Sequence, residues 1–182
     1  MAIRRLTASL MGISLWAAQV SPPASPNIAD FGKGVAKYLK VRGNAVSAVP
    51  ALKATGSPEE ILDHERDLAI SIRAARPGAA AGDIFTPAIA AEFRRILQAA
   101  LSTPGADRMK KSMSDSQPSP LPQITVDAAY PAGVPVQSMP PSVLRQLPPL
   151  PPELEYRVVG RTLILRDIEA NLIVDYLNEA LL

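Results

Sequence analysis

The chain contains no cysteine, which excludes disulfide frameworks, thiolate metal centres, cysteine nucleophiles and lipid attachment through a thiol. Aromatic residues are scarce, with one Trp, three Phe and four Tyr in 182 residues. Platforms for sugars or single-stranded bases lean on such side chains and are poorly supported. HExxH, G-x-S-x-G, Walker A, G-x-G-x-x-G and EF-hand patterns are missing. No cofactor is nominated, and the sequence argues against an enzyme. A Ser-His-Asp arrangement of distant residues stays open, but no serine is singled out. Long apolar runs are also absent beyond residue 24, so a multi-span membrane protein is excluded. The excess of basic residues, 19 against 17 acidic, is carried by Arg4 and Arg5 alone. From residue 25 onward the charges balance, and no sustained basic surface remains for nucleic acid.

What is present first is an address. Residues 1–24 read as a secretory signal peptide, with Arg4 and Arg5 followed by a mostly apolar stretch from Leu6 to Val20. As a helix that stretch rises about 22 Å, short of the roughly 30 Å hydrocarbon core. The expected destination is the periplasm or the extracellular space. The alternative is an uncleaved N-terminal segment that anchors the protein, the one way in which a membrane becomes a partner. Cleavage would remove Trp16, the only tryptophan.

The mature chain of this size predicts one shared core. Residues 25–116 form a helical region, and residues 117–182 hold a proline-rich segment followed by a β-meander. Asn27 is the expected cap of a first helix carrying Ile28, Phe31, Val35 and Leu39 on one face, with Gly43-Asn44 ending it. Ser57 and Pro58 open a second helix whose apolar face is Ile61, Leu68, Ile72 and Ala75, and Pro77-Gly78 stops it. Thr86 and Pro87 open a third, with Ile89, Phe93, Ile96 and Leu97 inward. The short connection between the second and third predicts a helical hairpin.

Eleven of the 19 prolines lie in residues 117–152. Within this zone, residues 124–128 read as a short strand, residues 138–147 as a short helix, and residues 147–152 as a polyproline strap. The C-terminus has the sharpest pattern. Val159-Gly160-Arg161-Thr162 reads as a two-residue hairpin turn of type II′. That register pairs Val158 with Leu163, Tyr156 with Leu165, and Glu155 with Arg166 across the other face. Leu172, Val174 and Tyr176 are expected to extend the apolar face on a third strand. A meander with one apolar face must be covered, and the helices are the available cover. The predicted class is α+β, with N-terminal helices packed on a C-terminal three-stranded antiparallel meander.

One constellation carries possible chemistry. Glu60, His64 and Asp67 follow at i, i+4 and i+7 and share a helical face, a spacing that suits a small metal-binding site. Against it stands the acidic first turn that any helix dipole favours. Arg157, Arg161 and Arg166 could form an anion-binding edge, but Arg166 faces Glu155 and charge on an exposed strand discourages edge pairing. The preferred reading is a non-enzymatic envelope protein acting through contacts with an unidentified protein or a second copy of itself. The alternative is a small metal- or anion-binding periplasmic protein using Glu60, His64 and Asp67.

Residues 31–38, 69–97, 129–144 and 147–177 are similar to an uncharacterised family of exported bacterial proteins of about this length. That resemblance implies export and no particular activity. The terminal hairpin also resembles that of RcnB-like periplasmic nickel/cobalt-homeostasis proteins, in its Y-x-V-x-G-x-x-L-x-L-x-D-I rhythm. No ligand motif accompanies the hairpin.

Overall fold

The computed structural model describes residues 25–102, 120–131 and 139–181, together with Asp107 and Lys111. The expected signal segment and most of the polar stretch at 106–117 lie outside the described residues. The class is α+β, with the helices N-terminal to the sheet.

Helix α1 (Pro26–Ala48) starts earlier and ends later than its sequence pattern indicates. Ser25 is the cap, its hydroxyl accepting from the Ile28 amide, because Pro26 at the first helical position has no N–H to satisfy. Gly43-Asn44 does not stop the helix, since Arg42 and Ala45 continue the buried face of Phe31, Val35 and Tyr38. Packing thus outweighs the low helical propensity of glycine. Helix α2 (Pro58–Ala75) is capped by Ser57 as expected. Only its second half is buried, through Leu68, Ala69 and Ile72, while Ile61 stays exposed. Helix α3 (Pro87–Ala100) buries Ile89, Ala90, Phe93 and Leu97. The principal helix contacts are α1 with α2 and α1 with α3, so α1 bridges the two helices expected to pair directly. A one-turn helix α4 (Pro141–Leu144) begins at a proline, as the sequence indicates.

Strands β1 (Leu154–Val159), β2 (Thr162–Asp167) and β3 (Leu172–Leu177) form an antiparallel meander in the order β1-β2-β3. All three expected β1–β2 pairs are present: Val158 with Leu163, Tyr156 with Leu165 and Glu155 with Arg166. Gly160 has φ +59° and Arg161 stays out of the left-handed region, as a type II′ turn requires. A bulge at Leu165/Arg166 leaves Val174 unpaired in the β2–β3 register. Leu172 and Val174 therefore reach the main core, but Tyr176 moves to the far face and Leu177 takes its expected place.

Phe31, Phe93 and Tyr156 centre the main core; the Phe31 and Phe93 rings are 4.9 Å apart and the Phe93 and Tyr156 rings 6.1 Å apart. The far face is covered as well. Tyr130 packs there with Val159, Ile164 and Ile173. Its segment runs along β3 through Asp127 N to Ile173 O, Ile173 N to Ala128 O and Tyr130 N to Asn171 O, each 2.9 Å. The short strand expected at 124–128 is instead an isolated bridge at Ala129–Leu172.

Candidate functional site

The buried polar groups are concentrated where helices meet the sheet. Tyr38 and Arg42 lie one turn apart on the inward face of α1, and both reach Asp167, the fully buried last residue of β2. The Tyr38 hydroxyl donates to Asp167 Oδ2 at 2.8 Å, and Arg42 Nε donates to the same oxygen at 2.7 Å. Asp167 Oδ1 accepts from the Ala170 amide at 3.0 Å, which closes the β2–β3 turn. Arg42 Nη2 also donates to Glu169 Oε2 in that turn. Glu169 Oε1 lies 3.2 Å from His64 Nε2 of α2. Three separate elements, α1, α2 and the turn, are thus joined by one ionic chain.

The electrostatics follow from this packing. Burial first, and then the Asp167 charge and hydrogen bond, push the Tyr38 phenol far above its ordinary value. Burial opposes the Arg42 charge, but Asp167 and Glu169 outweigh it and raise its pKa. Burial likewise opposes the Glu169 charge, yet the hydrogen bonds from Arg42 and His64 prevail and hold its carboxyl below the usual range.

The chain of polar contacts continues past Tyr38. The Arg76 guanidinium sits 5.2 Å from the centre of the Tyr38 ring, and its Nη2 donates to Val174 O at 3.0 Å. Its Nη1 is 3.5 Å from Asp127 Oδ1, an ion pair without a hydrogen bond. Arg73 Nε donates to the Asp127 carbonyl at 2.6 Å. Burial raises the Asp127 carboxyl above its ordinary value despite Arg76 and Arg73 nearby. Tyr38 and Arg76 also floor a cavity of about 370 Å³ between α1 and the loop after α2, with Lys37 and Asp83 among its lining residues.

A second buried carboxylate, Asp175 of β3, holds that loop. Its Oδ1 accepts from the Gly82 amide at 2.9 Å, and its Oδ2 accepts from the Ile84 and Phe85 amides at 2.7 and 2.8 Å.

The proposed metal trio is not assembled. Glu60 and Asp67 remain at the exposed surface while His64 turns toward Glu169. Among the described residues, no three Asp, Glu or His side chains group as a metal site. The anion-binding edge is likewise divided. Arg166 reaches Glu155 and Asn171, Arg157 reaches Glu155, and Arg161 reaches Glu179 and the Leu181 carbonyl. The sequence reading missed Tyr38, Arg42, Asp167 and Glu169. The one available signal was an arginine at the i+4 position of an otherwise apolar α1 stripe. No protein-family model, curated protein or solved structure matches the chain.

Proposed function

We propose that the protein is exported and acts without catalysis, through contact with another protein. The observation that carries this reading is the mutual engagement of the groups best suited to chemistry. Both carboxylate oxygens of Asp167 and of Glu169 are occupied, and His64 spends Nε2 on Glu169. Such a chain supports positioning rather than turnover. Apolar side chains flank it: Val46 is one turn beyond Arg42, Ile61 one turn before His64, and Ile168 beside Glu169, exposed by 37, 45 and 43%. Leu62 next to them is 56% exposed. Exposed aliphatic groups around a fixed ionic cluster are what a protein interface uses. Among the described residues, no helix is long and apolar enough to cross a membrane.

A photo-crosslinking residue in place of Leu62, in the full chain in its native envelope, tests the contact. One discrete adduct is expected, lost on Ile61→Asp and retained on Lys37→Ala; an adduct of twice the chain mass would assign the partner as a second copy. No discrete adduct, or one indifferent to Ile61→Asp, would overturn the reading. Intact mass of the exported form tests export independently, since it should lack residues 1–24 and show no tryptophan emission; full-length chain confined to the cytosol refutes it.

A further inference from the structure

A groove of about 620 Å³ lies between the proline strap and β1. Its wall is largely aliphatic and aromatic, built from Leu144, Leu147, Pro148, Leu150, Leu154 and Tyr156. The strap is held in place by the Tyr156 hydroxyl, which donates to the Pro148 carbonyl at 3.0 Å. Leu144 is 46% exposed at the rim. A volume of this size is typical of a small-molecule site, where apolar walls surround a few convergent polar groups.

Three charged residues also line the groove: Arg145, Arg157 and Glu155. Glu155 is the only acid among them, and it is shared between two guanidiniums, those of Arg157 and Arg166. The wall is therefore net positive. A cation would meet like charge, and a purely apolar ligand would leave that positive charge without a counterion. A ligand with an aliphatic body and one anionic head satisfies both features.

We propose that this groove binds an aliphatic carboxylate, with its chain against the leucines and proline strap and its carboxylate toward Arg157 and Arg145. The groove shares no lining residue with the contact surface of Val46, Ile61, Leu62 and Ile168, so either can fail alone. Titration calorimetry of the full chain with decanoate, below its micelle concentration, is the test. Saturable one-to-one binding is expected, with 1-decanol at least tenfold weaker and decylammonium weaker still. Arg157→Gln should weaken decanoate at least tenfold and leave 1-decanol unchanged. Should that variant fold poorly, Arg145→Gln is expected to weaken decanoate several-fold from an exposed position. Leu144→Asp should weaken both ligands, and Lys37→Gln neither. Equal affinity for decanoate and 1-decanol, or arginine variants that bind like the parent, would overturn the proposal. Binding to anionic phospholipid vesicles without binding free decanoate would also overturn it, by assigning the groove to a membrane surface.

Discussion

Two carboxylates, Asp167 and Asp175, sit fully buried on adjacent strands and tie the helical layer to the sheet by different chemistry. Asp167 is met mainly by side chains, Tyr38 and Arg42, which α1 brings across the interface. Asp175 is met by backbone amides of the loop at Gly82, Ile84 and Phe85. The first arrangement fixes a helix whose own backbone is already satisfied. The second organises a loop whose amides have no helix or strand to satisfy them. A side-chain anchor is exchangeable for hydrophobic packing; a backbone anchor is not, because its donors cannot be deleted by substitution.

This contrast is testable at its largest effect. Asp175→Ala is expected to cost roughly 4–5 kcal/mol, because three amides lose their acceptor together. Asp167→Ala is expected to cost about 3–5 kcal/mol, because Arg42 Nε, the Tyr38 hydroxyl and the Ala170 amide lose their acceptor together and Arg42 keeps only the half-exposed Glu169. The two should then diverge. A triple change of Tyr38→Phe, Arg42→Met and Asp167→Leu should recover most of that loss, since buried ion pairs are often replaceable by apolar groups, and stay about 1–3 kcal/mol below the parent because the Ala170 amide loses its acceptor. Asp175→Leu should have no comparable rescue. Urea unfolding of the five proteins decides the matter, and a triple variant as weak as Asp167→Ala would remove the distinction.

Glycines sharpen the same comparison at smaller magnitude. Gly82 delivers one of the amides to Asp175 from φ +91°, a conformation that costs a Cβ-bearing residue about 1–2 kcal/mol. Gly82→Ala should lower stability by about that amount and weaken the loop anchor. Gly32 lies on α1, and a Cβ there meets nothing within 4 Å. Gly32→Ala should raise stability by up to about 1 kcal/mol through helix propensity alone. Thermal unfolding should move the two variants in opposite directions, and a shared direction would mean that the loop conformation carries no constraint.

The parts of this architecture legible in the sequence are those whose signals are local. Ser57-Pro58 marked a helix start within three residues, and Gly160 fixed a hairpin whose pairing followed by counting outward. The bulge at Leu165/Arg166 escaped because it depends on where Asp175 must point, toward a loop 90 residues upstream. The ionic chain escaped for the same reason: Tyr38 and Asp167 are 129 residues apart. Asp167 reads as an ordinary turn residue until α1 is laid against it. Glu60 and Asp67 show the converse, since shared helical spacing places them on one face with His64, yet of the three it is His64 that meets a carboxylate brought from elsewhere, Glu169.

The outer end of the Asp167 anchor gives the smallest expected effect and a distinct pH signature. Glu169 is half exposed and holds Arg42 and His64 together at the turn. Its folded pKa lies below the ordinary value of 4.5, so its ionised form favours the folded state. That contribution is complete above the unfolded pKa and disappears as pH falls through the folded one. Solvent screening keeps it small, about 0.5 kcal/mol. Glu169→Gln should therefore be slightly less stable than the parent at pH 7, and the two stability curves should converge as pH drops through the acid range. Urea midpoints collected from neutral to acid pH show this directly. Curves that stay parallel would mean that Glu169 acts by shape alone, leaving the charge on Asp167 to hold α1 without help from the turn.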